Sequence, residues 1–241
     1  MKIGILQTGK TPPELVDEYG TYAEMFMRLI QTEKDDFVFQ IFEACDNEFP
    51  ESCYDCDGWF VTGSKHGAYE EIPWIIYLSK FIVEIYNSKL PILGICFGHQ
   101  IIAQALGGTV AKSKKGWGVG FDRYKLGNKT KYMSNLDERV MLNVMHQDQV
   151  VELPKKATLY ASSEFCNNAG YYIDNHVLTI QAHPEFLVEF NKALLIIRSP
   201  SIIPSEYSAP GLEDLDINYD KVDSNIFSQT IRNFFLSYQK L

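Results

Sequence analysis

Two separated stretches of this chain carry residues that could together do covalent chemistry. The first is Gly94–Ile95–Cys96–Phe97–Gly98, which follows the nearly all-apolar run Leu90–Pro91–Ile92–Leu93. The second is His183–Pro184–Glu185, at the end of Val177–Leu178–Thr179–Ile180–Gln181–Ala182. A cysteine becomes a nucleophile when a base takes its proton, and the base works best when a third group orients it. Cys96, His183 and Glu185 supply those three types. Pro184 stiffens the turn, so that Glu185 can reach back to one imidazole nitrogen while the other faces Cys96. The chemistry such a set supports is acyl transfer through a thioester.

The surroundings of Cys96 sharpen the reading. The apolar run before it has the character of a strand buried on both faces. Behind Gly98, Ile101, Ile102, Ala105 and Leu106 recur on one side of a helix, which Gly107 and Gly108 cap. A strand, a sharp Gly-flanked turn and a helix form a nucleophile elbow, too tight for a Cβ on either side of the cysteine. The helix start behind the sulfur favours thiolate over thiol. A cysteine in an apolar stretch is ordinarily a small buried hydrophobe, but a junction between two glycines is a poor place for a core filler.

The elements that must position these residues follow from periodicity. Residues 3–7, 37–42 and 57–63 read as strands, the last ending in a glycine turn, and Ile72–Tyr86 reads as a helix with Pro73 in its first turn. Thr11–Pro12–Pro13 marks a loop, after which Tyr22, Met25, Phe26, Leu29 and Ile30 recur at helical spacing. Strands alternating with helices predict an α/β fold with a parallel sheet covered on both faces. At the carboxyl edge of such a sheet, strand ends converge on one crevice, where Cys96 and His183 would meet. After Gly108 the strands shorten: Trp117–Gly120, Val140–Met145, Ala157–Ala161, Gly170–Ile173 and Val177–Ala182 suggest antiparallel pairing. A helix follows through Phe186, Phe190, Leu194 and Ile197. Ser199–Asp223, with Pro200, Pro204 and Pro210, reads as irregular and acidic, and Ile226–Tyr238 as a final amphipathic helix.

Composition narrows the class. The formal charge of −9 leaves no basic surplus for neutralising phosphates, which argues against a nucleic-acid binder. No apolar run reaches the length of a membrane span, and Met1–Gln7 is too short in its apolar stretch for a signal peptide. Five cysteines without a framework spacing fit a reducing cytoplasm. Cys53 and Cys56 form one C-x-x-C with no second pair at zinc-like spacing, so no metal site is expected.

Gly94-x-Cys96-x-Gly98-x-Gln100 together with His183–Pro184–Glu185 resembles the class I (triad) glutamine amidotransferase family, from about residue 1 to residue 190. Met145–His146–Gln147–Asp148–Gln149–Val150 is similar to the His-x-Asp-x-Val stretch of the GMP synthase amidotransferase domain. The resemblance implies a flavodoxin-like three-layer fold with a mostly parallel central sheet, smaller antiparallel strands and a helical C-terminal extension. It implies one domain over 1–241, with a core of about 1–190 and an extension of about 191–241. It carries nucleophile, base and orienting acid onto Cys96, His183 and Glu185. The oxyanion hole falls on the backbone N–H of Phe97 and on one from Thr62–Gly63–Ser64–Lys65–His66–Gly67, either Gly63 or Ser64. There the family's Gly-Gly-Pro is replaced, but a backbone N–H serves from either residue. Gln100, His146, Gln147 and Asp148 fall where the family lines its glutamine pocket. No metal or organic cofactor is implied.

The remaining candidates have plainer readings. His99 belongs to elbow packing or to the surface, His66 lies in the oxyanion loop where it is open to substrate, and His176 sits in a solvated turn. Trp117 walls the pocket or fills the core. The resemblance leaves two jobs open: hydrolysis of a small γ-glutamyl amide, peptide or conjugate by the chain alone, or release of ammonia to a separate synthetase chain. No phosphate-binding glycine loop is present for a synthetase of its own. The segment after residue 190 is similar to that of free-standing members, plant γ-glutamyl peptidases among them, and favours the first.

Overall fold

The computed structural model describes residues 1–32 and 37–238. In chain order its elements are β1 (Lys2–Leu6), α1 (Pro13–Tyr19), α2 (Tyr22–Ile30), β2 (Val38–Phe42), β3 (Gly58–Val61), α3 (Pro73–Asn87), β4 (Ile92–Ile95) and α4 (Phe97–Ala105). There follow β5 (Thr109–Lys112), β6 (Gly118–Leu126), β7 (Arg139–His146), β8 (Asp148–Glu152), β9 (Ala157–Ser162), β10 (Gly170–Ile173), β11 (Val177–Ile180), α5 (Val188–Arg198), α6 (Ser205–Ile217) and α7 (Ser224–Leu236). Residues 239–241 of the expected extension lie outside the described residues.

Nine strands form one sheet in the order β2-β1-β3-β4-β11-β10-β9-β6-β7. From β2 to β11 neighbours run parallel; from β11 to β7 they pair antiparallel. The short antiparallel strands therefore extend the same sheet, while β5 and β8 pair in a separate ribbon. The four parallel-paired residues of β4 are all buried, as the apolar run required.

Side chains alternate between the two faces, and the cores follow that alternation. Ile3, Ile5, Phe60, Leu93, Ile95 and Leu178 pack with Phe26 of α2 and with Phe227, Ile231, Phe234 and Phe235 of α7. Trp59, Val61, Ile92 and Val177 face Leu78 and Ile82 of α3 and Ile101 and Ile102 of α4. Helix, sheet and helix make the three layers expected of a flavodoxin-like fold. A third cluster joins α1, α5 and α6 to Phe121, Met141 and Met145 at the antiparallel end.

One expectation is corrected. Ser199–Asp223 is not irregular throughout, because α6 runs through it with Pro210 inside the helix. Pro204 stands at the N-cap, a position that needs no N–H for the helix ladder. Pro210 and Glu206, whose carbonyl loses its helical partner, are both exposed, so water can take that bond. Asp214 then ties the helix to β6: its carboxylate accepts from the Phe121 N–H at 3.1 Å and from Arg123 Nη2 at 2.8 Å.

Candidate active site

The site begins with the register of two strands. β11 lies parallel to β4 with Ile180 opposite Ile95. Cys96 donates its N–H to the Ile180 carbonyl at 2.9 Å, which brings the residues after both strands to the same edge. Cys96 is the N-cap residue of α4, with φ 53° and ψ −103°, a backbone that a non-glycine residue adopts only when its surroundings impose it. The surroundings do so. A Cβ on Gly98 would stand 2.2 Å from the Val61 carbonyl oxygen, and one on Gly94 would stand 2.5 Å from that of Gly98. The elbow closes only with glycine at both places.

His183 is buried, held through its own N–H to the Asn143 carbonyl at 2.8 Å. Its ring lies face to face with Phe186, centroids 4.0 Å apart. Nδ1 is 2.6 Å from Glu185 Oε1, which leaves Nε2 to face the neighbouring Cys96 sulfur. Burial alone would lower the His183 pKa. The Glu185 carboxylate and the Cys96 sulfur outweigh it and hold the imidazole protonated well above its ordinary range. The arrangement sets a protonated imidazole between a carboxylate and a cysteine sulfur.

Gly63 stands against both partners, since a Cβ there would come within 2.9 Å of His183 Cε1 and 3.8 Å of Cys96 Cβ. Its carbonyl accepts from the Thr8 hydroxyl at 3.1 Å, which pins the loop. Ser64, next in the chain, is half-buried, and its hydroxyl accepts from the His66 N–H at 3.3 Å. Phe97 is the first residue of α4, so its N–H lies outside the helical ladder. Gly63, from the loop after β3, and Phe97, from the start of α4, thus both adjoin Cys96.

Gln100, His146, Gln147 and Asp148 also gather here. β7 ends at His146 and β8 begins at Asp148, so Gln147 is the single residue between the nine-stranded sheet and the ribbon; its carbonyl accepts from Ser113. His146 Nδ1 is 3.1 Å from the Asp148 carbonyl. A carbonyl only accepts, so Nδ1 carries the proton and Nε2 presents a lone pair; that nitrogen is buried without a hydrogen-bond partner among the described residues. Burial, and then the charge on His183, push the His146 pKa down to about 4, so the ring is neutral. Asp148 is raised by burial, while the Tyr69 hydroxyl hydrogen-bonded to it works the other way. Gln100 is buried, and its Nε2 donates to the Asp148 carbonyl at 2.8 Å and to Gln181 Oε1 at 3.1 Å. Gln181 in turn donates to Cys96 Sγ at 3.6 Å. Gln181 carries no sequence signal apart from its place two residues before His183.

The other histidines separate cleanly. His99 is fully buried, with Nδ1 2.9 Å from the Thr179 hydroxyl, and belongs to elbow packing. His66 pairs with Glu70 at 3.0 Å and stands edge-on to Trp74. His176 is not solvated: it is 4% exposed and stacks on Tyr86 with centroids 5.0 Å apart. The turn that carries it folds onto the end of α3, which its polar neighbours in sequence did not reveal. Trp117 is half-buried and, with Phe121, Phe165 and Tyr207, lines a cavity of about 370 Å³ between β6 and α6. Cys53 and Cys56 are buried thiols, the first 3.3 Å from the Ser88 hydroxyl, the second pushed up to about 11 by burial.

Comparison with known proteins agrees with this geometry. A family model described as glutamine amidotransferase class-I matches residues 15–198. Gamma-glutamyl peptidase 3 of Arabidopsis thaliana is 35% identical over 73% of this chain and 72% of its own. A glutamine-hydrolyzing GMP synthase of Tropheryma whipplei is 31% identical over 52% of this chain but 24% of that protein. Among solved structures, a glutamine amidotransferase from Thermotoga maritima superposes with a TM-score of 0.77 over 97% of both chains at 22% identity, a likeness of fold.

Proposed function

Because the chain belongs to the class-I glutamine amidotransferase family, we propose that it hydrolyses γ-glutamyl amide bonds through a γ-glutamyl thioester on Cys96. The observation that carries this reading is the placement of His183 between Glu185 and a cysteine held on a strained, glycine-walled elbow. The Cys96 thiolate attacks the γ-carbonyl carbon, and the oxygen takes the negative charge opposite the N–H groups of Phe97 and of Gly63 or Ser64. The imidazolium of His183 protonates the departing nitrogen. Neutral His183 then takes a proton from water, which adds to the thioester carbonyl, and the collapse returns glutamate and the thiolate. Glu185 orients the ring and balances its charge in both halves. Gln100, His146, Gln147 and Asp148 take the α-amino-acid end of the substrate; the bare Nε2 of His146 suits an ammonium donor. Residues 1–241 act as one amidotransferase domain with an extension after about residue 190, working in the cytoplasm.

The substrate in this reading is a γ-glutamyl amide or peptide larger than glutamine. The similarity to a plant γ-glutamyl peptidase over nearly three quarters of both chains supports it, as does a loop in which Ser64 and exposed Lys65 replace the last two residues of the family's Gly-Gly-Pro and half-buried His66 follows. A second reading, ammonia delivery to a separate synthetase, is favoured by the likeness to GMP synthase. The test is kcat/KM of the purified chain for glutamine and for a panel of γ-glutamyl dipeptides under one set of conditions. Dipeptides are expected to be preferred. A tenfold or greater preference for glutamine, about 1.4 kcal/mol of transition-state discrimination, or activity that appears only on adding a synthetase, would transfer the assignment to the second reading.

A further inference from the structure

Gln181 is completely buried at the end of the strand that carries His183, and the reaction as written gives it nothing to do. Its amide nevertheless spans two functional groups: Oε1 accepts from Gln100 Nε2 at 3.1 Å, and Nε2 lies 3.6 Å from Cys96 Sγ. The donors and acceptors available fix the directions of these bonds. The Asp148 carbonyl can only accept, so the Gln100 atom 2.8 Å from it must be the nitrogen. That nitrogen's second hydrogen meets Gln181, whose facing atom must therefore be the oxygen. The Gln181 nitrogen is left pointing at Cys96, and it can only donate.

We infer that Gln181 is a positioning residue for the Cys96 thiolate and that Gln100 sets its orientation, so that pocket and nucleophile are joined by one directed relay, Asp148 carbonyl–Gln100–Gln181–Cys96 Sγ. The inference rests on the reading of Cys96 as nucleophile. A buried thiolate is costly unless it is paired and hydrogen-bonded, and His183 supplies one partner. A second N–H donor favours the charged sulfur over the thiol and fixes the direction in which it faces the substrate carbonyl. The donor does not give up its hydrogen. When water opens the thioester and the sulfur leaves as thiolate, the Gln181 N–H is already in place to receive it. Mutual polarisation along the chain strengthens each bond. The strand register that sets Ile180 opposite Ile95 builds the contact, and a bond from the Gln181 N–H to the Ala169 carbonyl at 2.7 Å holds the strand end.

The experiment measures the rate of iodoacetamide alkylation against pH, alongside kcat and KM for a γ-glutamyl dipeptide, in the wild-type chain, Gln181→Met, Gln181→Glu and Gln100→Glu. Gln181→Met is expected to move the midpoint of the alkylation profile up by about one pH unit and to lower kcat on the order of ten- to a hundredfold, with KM little changed. Gln181→Glu keeps the shape but sets an acceptor against the sulfur, and is expected to move the midpoint at least as far. Gln100→Glu removes the two hydrogens that Gln100 donates and is expected to move it in the same direction by less, because the Gln181 amide is then free to turn over. A profile that coincides with the wild type in both Gln181 variants overturns the inference, even if activity falls, since packing would then be the whole role of Gln181. Alkylation that maps to a cysteine other than Cys96 would instead overturn the nucleophile reading, and the inference with it.

Discussion

The same imidazole ring does three different things in this molecule, and its neighbours decide which. His183 has a carboxylate on one nitrogen and a sulfur on the other, so it holds its proton. His146 has a carbonyl on one nitrogen and, among the described residues, no hydrogen-bond partner on the other, so it stays neutral with a lone pair to offer. His176 stacks on Tyr86 and faces no reacting group. The expected consequences differ accordingly. His183→Asn should lower kcat by on the order of 10³-fold or more, since it removes the imidazole that faces the sulfur. His146→Asn should mainly raise KM. His176→Asn should leave turnover alone but cost about 1 kcal/mol of stability through the lost ring contact, read as a lower melting temperature. If His146→Asn were the inactive variant and His183→Asn retained turnover, the base would have been placed on the wrong strand. The difference was partly legible in sequence. His183 is followed by Pro184 and Glu185, a local arrangement that points to a partner, whereas His176 looks like any turn histidine because the ring that buries it lies in α3.

Among the elements, the elbow and α6 illustrate what a sequence does and does not disclose. The elbow is local: apolar strand, glycine, cysteine, glycine and helix follow one another, so its geometry was readable. Gly98→Ala tests it, because the new methyl would meet the Val61 carbonyl backbone; overpacking should cost about 1–3 kcal/mol, and the shift of Cys96 should lower kcat more than it raises KM. An Ala variant with wild-type melting and turnover would mean that the elbow has room to spare. Helix α6 was hidden by its prolines, since Pro210 inside a helix is tolerated only where the freed carbonyl faces water, and exposure is not written in sequence. Its anchor is long-range. Asp214→Ala should cost about 1 kcal/mol, speed hydrogen exchange at the Phe121 amide, and leave turnover near wild type. Unchanged exchange there would show that the apolar contacts of α6 hold it unaided. Gln181 was invisible for a related reason: only the register of β11 against β4 puts it beside Cys96. The β5–β8 ribbon was missed because His146–Gln147–Asp148 read as one motif, whereas the chain changes sheets at Gln147.

For the molecule as a whole, the buried neutral histidines set the response to acid. His146 and His99 have pKa values lowered to about 4 and about 3, burial being the first cause in each. Such a group binds its proton more readily unfolded, near pH 6.5. The stability it contributes is therefore present above that pH and is lost as pH falls through the folded value. His183 has the opposite sign, its share being complete below the unfolded pKa and lost only as pH rises through its raised folded one. Between pH 6.5 and 4 the chain should lose up to about 1.4 kcal/mol per pH unit for each neutral histidine. His146→Gln should flatten that slope in a urea titration, and a slope identical to wild type would mean His146 is already protonated in the fold. The same buried edge gives the central claim its most direct measurement. The purified chain is mixed with a γ-glutamyl dipeptide, quenched in acid within one turnover, digested and weighed by mass spectrometry. The account predicts one γ-glutamyl group in thioester linkage on the peptide containing Cys96, absent from a folded Cys96→Ala variant that has also lost turnover by on the order of 10³-fold. A folded Cys96→Ala chain that still releases glutamate at near the wild-type rate, or an acyl group carried on another residue, would contradict it.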